Sequence, residues 1–184
     1  MKTLKYFFVP LVFAGFLFIG CSEKSQPTAP TDQAASSQNL NKVVQTNFTG
    51  TDYPTPYINS FGDIINNGNR AVGKGLDGWD YLDATDPRVT GMVHIIGNSS
   101  FDGNGEGPVY GTGILKPGTT DPEDPADEGI WELHWNGFSK DGIGYFKMTG
   151  VGKGGSIQGM QLFMTEEYNQ TTYIGQVTGY IQSH

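Results

Sequence analysis

Large apolar and polar side chains alternate along much of this chain. In the segment Ile130–Asn136, Trp131, Leu133 and Trp135 share one face of an extended chain, and the polar residues between them share the other. A period of two residues is typical of a β-strand with one buried face. Comparable segments are Gly91–Ile96, Val109–Leu115, Ile143–Val151, Ser156–Thr165 and Thr171–Ile181, with weaker candidates at Lys42–Phe48 and Asn69–Leu76. The pattern predicts about seven or eight strands.

Glycine indicates how these strands are arranged. Of the 27 glycines, all but Gly15 and Gly20 lie from Gly50 onward, and many fall inside the predicted strands. Glycines in such positions disfavour helices and mark bulges or strong coiling of a sheet. A strongly coiled sheet of short strands closes on itself, which removes its unpaired edges. The sequence therefore predicts an all-β domain, a small antiparallel barrel of about eight strands that is closed or nearly closed, with a β-sandwich as the alternative.

The first 41 residues follow a different pattern. Lys2 and Lys5 precede an apolar run over residues 6–19, and Cys21, the only cysteine, follows it directly. The run fits a targeting peptide and is shorter than the ~20 residues of a spanning helix. Residues 22–41 hold no large apolar side chain before Leu40, as in a flexible spacer. We predict a signal peptide at 1–20, a lipidated Cys21 with a linker at 21–41, and one Gly-rich β-barrel domain at 42–184.

This N-terminal arrangement resembles a bacterial lipoprotein signal whose lipobox ends at Cys21, although Phe18 stands where that family usually has an aliphatic residue. The resemblance implies cleavage before Cys21, acylation of its thiol and a membrane as partner through the lipid anchor. It also implies a place in the cell envelope, and Ser22 favours the outer membrane of a Gram-negative bacterium. The alternatives are ordinary secretory cleavage near Ala29 and a reactive free thiol.

A second resemblance concerns the barrel. The segments 86–91, 111–113, 129–137 and 152–160 resemble a glycine and tryptophan pattern of uncharacterised exported proteins. The shape of those proteins is similar to the allene oxide cyclase and dirigent barrels, which implies a calycin-like, eight-stranded form over about residues 70–181. No set of cyclase active-site residues is matched, and a shared shape does not imply a shared activity.

Charge and cysteine content exclude some functions. The formal net charge is −8, and without the two lysines of the first 20 residues it becomes −10, from 19 acids and 9 bases. An acidic domain repels phosphate backbones, so we expect no nucleic acid partner. Beyond Cys21 no cysteine remains for a disulfide, so the exported domain depends on its core for stability.

Candidate catalytic residues are few. Glu132 and His134 share a face of one predicted strand. If that face pointed into the barrel, they could form a general acid–base pair or part of a metal site. The Trp–Leu–Trp face opposite favours the other orientation, with both residues in solvent. The chain has no nucleophile-elbow, zinc-protease or phosphate-loop motif in the required context, so we predict no cofactor and lean towards a protein that is not an enzyme.

Acidic clusters have simpler interpretations. The run 102–107 imitates the start of a calcium loop, but Gly113 stands where the closing acid belongs, which favours a polar hairpin turn. The acid-rich run 120–128 predicts a disordered surface loop. Asp77, Asp80, Asp83 and Asp86 recur every third residue, a spacing that does not share a strand face, and we interpret them as loop residues. We therefore predict no metal site.

Aromatic residues provide the binding hypothesis. Trp79, Trp131, Trp135 and Tyr145 are candidates for contact with a small hydrophobic or carbohydrate ligand, and core filling is the alternative for each. The resulting interpretation is an envelope-anchored lipoprotein whose non-catalytic barrel binds a ligand or an envelope protein, or has a structural role. The alternative is an enzyme that uses the barrel interior, with a cyclase- or isomerase-like activity suggested by shape only.

Overall fold

Eight strands pair in the order in which they follow one another along the chain, and the last pairs with the first. The computed structural model describes residues 42–183. The strands are β1 Val44–Asn67, β2 Arg70–Ala84, β3 Gly91–Phe101, β4 Gly107–Pro117, β5 Ile130–Lys140, β6 Ile143–Lys153, β7 Gln161–Asn169 and β8 Ile174–Ser183. All neighbours are antiparallel. The predicted barrel is confirmed, and the sandwich is excluded because no pair of separate sheets exists among these strands.

Two predictions were wrong, one on the limits of a strand and one on the place of three acids. Ser156–Thr165 was predicted as one strand, but residues 155–157 form a 3₁₀ helix and the strand begins at Gln161. Gly154 and Gly155 have φ angles of 74° and 52°, which ends the extended chain after β6. The interpretation of Asp77, Asp80 and Asp83 as loop residues was also wrong, since all three lie in β2.

One end of the barrel is filled by apolar side chains. The connections β2–β3 and β6–β7 each contain a 3₁₀ helix, at Pro87–Val89 and Gly155–Ile157, and Val89 and Ile157 have no exposed surface. Trp131 is also fully buried, and its Nε1 donates a hydrogen bond of 2.7 Å to the carbonyl of Arg88. Together with the fully buried Leu115 and Leu162 of β4 and β7, these side chains make the main core and close this end.

At the other end, the hairpin of β1 and β2 extends past the end of β8 as an arm, in which β2 remains paired with β3 as far as Ala71. The pairing of β1 with β8 ends at Asp52, and from there β1 pairs with β2 alone, through register shifts after Pro54 and Ile58. Apolar side chains on the arm remain in solvent, and Phe61 is 79% exposed. The barrel is therefore closed at one end and bordered by an arm at the other.

The acid-rich connection between β4 and β5 is held against the outside of the barrel. Lys116 donates its Nζ to the carbonyls of Pro122 and Asp124, at 2.8 Å to the former. The carboxylate of Asp124 accepts from the backbone N–H groups of Thr120 and Asp121, at 2.9 and 3.0 Å. The prediction of a disordered loop was wrong, because a buried lysine organises this segment.

Cys21, the predicted signal peptide and the predicted linker lie outside the described residues. Within residues 42–183, no helix is long and apolar enough to cross a membrane.

Candidate functional site

A cavity of about 170 Å³ lies inside the barrel, between the apolar core and the end that carries the arm. Most of its lining is apolar, and Leu76 at its rim is 44% exposed. The apolar lining includes Leu82, Val93, Ile95, Leu133, Met148, Met164 and Val177. The barrel is therefore packed solid at its closed end and hollow towards the arm.

Three carboxyl groups line this cavity, and strand alternation places each of them. Asp52 follows the buried Phe48 on the inner face of β1, and Asp80 lies two residues before the buried Leu82 on β2. On β7, Glu166 continues the inward series of Leu162 and Met164. Asp52 is 6% exposed and Glu166 is 8% exposed, so both are buried carboxyl groups in a mainly apolar cavity.

The space for Glu166 is provided by a glycine. Gly175 faces inward on β8, and a Cβ atom there would overlap the Oε1 of Glu166. Because β8 lies between β1 and β7, the absence of a side chain at Gly175 leaves room for the carboxyl groups of Asp52 and Glu166 to approach one another. This glycine therefore shapes the acidic part of the cavity.

Burial determines the protonation of the cluster. Desolvation raises the pKa of Glu166 to about 7 and that of Asp80 to about 6. Desolvation, with repulsion from Glu166 and Asp80, also raises the pKa of Asp52 well above its usual range. Burial likewise raises the pKa of Tyr168, the next inward residue on β7. Near neutral pH the cluster therefore retains protons that exposed carboxyl groups would have lost.

The hydrogen bonding of the pair depends on a shared proton. Asp52 Oδ1 and Glu166 Oε1 are both buried, and when neither carboxyl group carries a proton, these atoms have no hydrogen-bond partner. A proton on one carboxyl group allows it to donate to the other, which adds to the rise in the pKa of Asp52 and offsets a small part of the rise in the pKa of Glu166. In the cavity lining as the structure describes it, the three carboxyl groups face no Lys or Arg side chain. His94 borders the cavity but directs its ring outward, where it stacks on Trp79. When the pair is ionised, these two buried oxygen atoms have no partner and can accept hydrogen bonds from a ligand.

Aromatic side chains of β5, β6 and β7 form another wall of the cavity. The indole of Trp135 packs where Gly97 and Gly111 lack side chains, and its Nε1 donates to the carbonyl of Thr112 at 3.2 Å. Phe146 meets Trp135 edge to face with ring centroids 5.8 Å apart, and it meets Tyr168 at 6.2 Å. Aromatic faces with a few polar groups are typical of small-molecule sites.

Of the four aromatic candidates from the sequence, only Trp135 lines the cavity. Trp131 belongs to the core of the closed end. Trp79 lies on the outer surface, stacked on His94 with centroids 4.5 Å apart and with Lys116 Nζ 5.8 Å from its ring. Tyr145 points outward and is 51% exposed. The core-filling alternative therefore holds for Trp131, and Trp79 and Tyr145 are surface residues.

The polar candidates are not brought to the cavity. Glu132 and His134 lie on the outer face of β5 in solvent, and Glu132 is 3.6 Å from Lys153 Nζ. This is the outward orientation that the Trp–Leu–Trp face favoured. In the loop between β3 and β4, Asp102 Oδ1 accepts from the N–H groups of Asn104 and Glu106, as in a polar turn. Within the described part of the chain, no three His, Cys, Asp or Glu side chains are arranged to hold a metal ion.

Sequence reasoning missed Asp52 and Glu166 and assigned Asp80 to a loop. A signal was present in each case, because each acid continues a two-residue series of inward positions, such as Leu162, Met164 and Glu166. An acid normally ends the apolar face of a strand, so such a series does not by itself predict that the acid points inward.

Comparison with protein-family models, with curated proteins and with solved structures finds no match.

Proposed function

We propose that this protein is a cell-envelope lipoprotein, anchored through Cys21, whose barrel binds a small, mainly apolar molecule in its interior. The cavity of about 170 Å³ carries the binding part of the proposal, because it joins apolar and aromatic walls to buried, unpartnered carboxyl oxygens. A protein interior is normally close-packed and an empty cavity lowers stability, so the presence of this cavity supports a binding role. The anchor part is supported by the sequence pattern around Cys21.

Blocking the cavity tests the binding part. Leu76 lies at the rim, so Leu76→Trp fills the entrance without entering the core. Ile96→Trp is the control, because Ile96 faces outward on β3 and is 41% exposed. Calorimetric titration with benzene-sized probes is expected to give saturable binding to the wild type and to Ile96→Trp, and at least ~10-fold weaker binding to Leu76→Trp. Equal binding to both variants would place the ligand elsewhere.

Labelling of cells with tagged palmitate tests the anchor part. The wild type is expected to incorporate the label because the acyl chains are attached at Cys21, and Cys21→Ser is expected to lose it. Ser25→Ala serves as a control for a change in the same segment and is expected to be labelled like the wild type. Labelling of Cys21→Ser would contradict the anchor.

A catalytic role is the second candidate, and Glu166 is the observation that favours it. A carboxyl group with a pKa of about 7 inside an apolar cavity is suited to give and take protons at neutral pH. Mass spectrometry of a bound probe after incubation distinguishes the two roles. A binding protein returns the probe unchanged, whereas an enzyme converts it and loses that conversion in Glu166→Gln.

A further inference from the structure

Within the described residues, no Lys or Arg side chain balances the acidic cluster of the cavity, Asp52, Asp80 and Glu166. At the level of the cluster, β8 presents Gly175 and Val177, and the inward positions of β3, β4, β5 and β6 that line the cavity are apolar, aromatic or glycine. Among residues 42–183, the phenol of Tyr168 on β7 also faces the carboxyl groups, and His94 on β3 borders the cavity with its ring bonded to Asp77 and stacked on Trp79. Buried carboxylates without a counter-charge are strongly unfavourable, so either protons or a cation must neutralise them.

The surroundings favour an organic cation. Trp135 lies on β5, four strands around the barrel from Asp52 on β1, and both residues line the cavity, so Trp135 belongs to the wall opposite Asp52. Phe146 is paired directly with Glu166 in the register of β6 and β7. A protonated amine with an apolar body can contact aromatic faces and a carboxylate together, whereas a hydrated metal ion gains nothing from apolar walls.

The cavity also limits the size of the ligand. An apolar cavity of about 150 Å³ is large enough to hold benzene. At about 170 Å³, this cavity therefore accepts a single ring or a short branched chain with one polar group. Larger ligands would have to extend past Leu76 towards the arm.

From these observations we propose that the cavity binds a small protonated amine, with its ammonium group between Asp52 and Glu166 and its apolar body against Trp135 and Phe146. The inference rests on the proposed ligand-binding function and names the chemical class of the ligand. The two unpartnered oxygens, Asp52 Oδ1 and Glu166 Oε1, are the acceptors that an ammonium group needs.

Proton release must accompany binding of such a ligand. The ammonium group interacts best with ionised carboxylates, but burial keeps the carboxyl groups of Asp80 and Glu166 protonated up to pKa values of about 6 and about 7. Asp52 shares this behaviour, and Tyr168 stays neutral because burial raises its pKa further. Affinity for the amine is therefore expected to rise with pH through this range, as the carboxyl groups lose their protons.

The test compares benzylamine with benzyl alcohol, which has nearly the same shape but no charge. Calorimetric titration of the wild-type barrel at about pH 8 is expected to give at least ~10-fold tighter binding of benzylamine, and at about pH 5 the preference is expected to disappear. Glu166→Gln and Asp52→Asn should each reduce the preference. Glu167→Gln, a change to the neighbouring outward-facing acid, should leave it intact.

The outcomes separate this inference from the proposed function. Equal binding of benzylamine and benzyl alcohol at about pH 8 would overturn the amine inference and leave the ligand-binding function in place. Failure of both probes to bind the wild-type cavity would overturn both. Saturable binding of Ca²⁺ or Mg²⁺ that displaces benzylamine and is lost in Glu166→Gln would replace the amine with a metal ion.

Discussion

Replacing Glu166 with glutamine is expected to make the barrel more stable, and only above the pH at which the folded carboxyl group ionises. Burial raises the pKa of Glu166 from 4.5 to about 7, so between these values the folded state binds a proton that the unfolded state has released. The free energy of unfolding therefore falls as pH rises through this window. Glutamine has a similar shape and no ionisation, so Glu166→Gln removes this loss.

The magnitude follows from the change in pKa. A rise from 4.5 to about 7 corresponds to roughly 3 kcal/mol, at about 1.4 kcal/mol for each tenfold change in proton affinity. We expect Glu166→Gln to be more stable than the wild type by about 2–3 kcal/mol at about pH 8, and to show little difference at about pH 4.5. The desolvation of Asp80 is present in both proteins and is largely removed by the comparison. Glu166 also raises the pKa of Asp52, so its replacement relieves Asp52 and acts in the same direction as the predicted gain in stability.

Urea unfolding followed by circular dichroism at both pH values measures this difference, with Glu167→Gln as the control. Glu167 has the same charge and lies on the outer face of β7, so its replacement is expected to change the free energy of unfolding by less than ~0.5 kcal/mol at either pH. If Glu166→Gln proved equally stable or less stable than the wild type at about pH 8, the argument that an uncompensated buried charge limits stability would be refuted.

Three further predictions concern other parts of the barrel. Gly175→Ala should weaken benzylamine binding by at least ~10-fold in calorimetry, because the new Cβ takes the space of the Glu166 carboxyl group, and unchanged affinity would contradict this. Trp131→Phe should lower the free energy of unfolding in urea by about 2–3 kcal/mol, through lost packing and a backbone carbonyl left without its donor, and a change under ~0.5 kcal/mol would contradict its place in the core. Glu132→Ala combined with His134→Ala should leave probe binding unchanged and stability within about 1 kcal/mol, and lost binding would show that the outer face contributes to the site.

The fold could be predicted from the sequence because its signals are local. Alternation in Ile130–Asn136 fixes which face of β5 is buried, and the structure confirms it with Trp131 at 0% and Leu133 at 3% exposure. Interior glycines indicated closure, and the structure shows their use: Gly97 and Gly111 leave space for the indole of Trp135. The limits of β1 and β2 were harder, because the arm carries both polar and exposed apolar residues and so lacks a two-residue period.

The candidate site could be predicted only in part. Trp135 was identified, because an aromatic residue in an alternating strand must lie either in the core or in a cavity. The sequence could not separate it from Trp131, since both occupy the same face of β5 and differ only in their distance from the closed end. Which end is closed depends on the 3₁₀ helices at Pro87–Val89 and Gly155–Ile157, because they fill one end of the barrel and leave the other hollow.

By itself, the sequence determined that the domain is all-β with about eight strands, which face of β5 is buried, and that a barrel is favoured over a sandwich, since propensity and period act over a few residues. It also carries the whole basis for the predicted anchor at Cys21. Only the tertiary structure decided that Asp52, Asp80 and Glu166 meet inside the barrel. Asp52 and Asp80 lie on consecutive strands, but Glu166 lies on β7, far along the chain, and the pKa of each acid depends on burial, which no local pattern encodes.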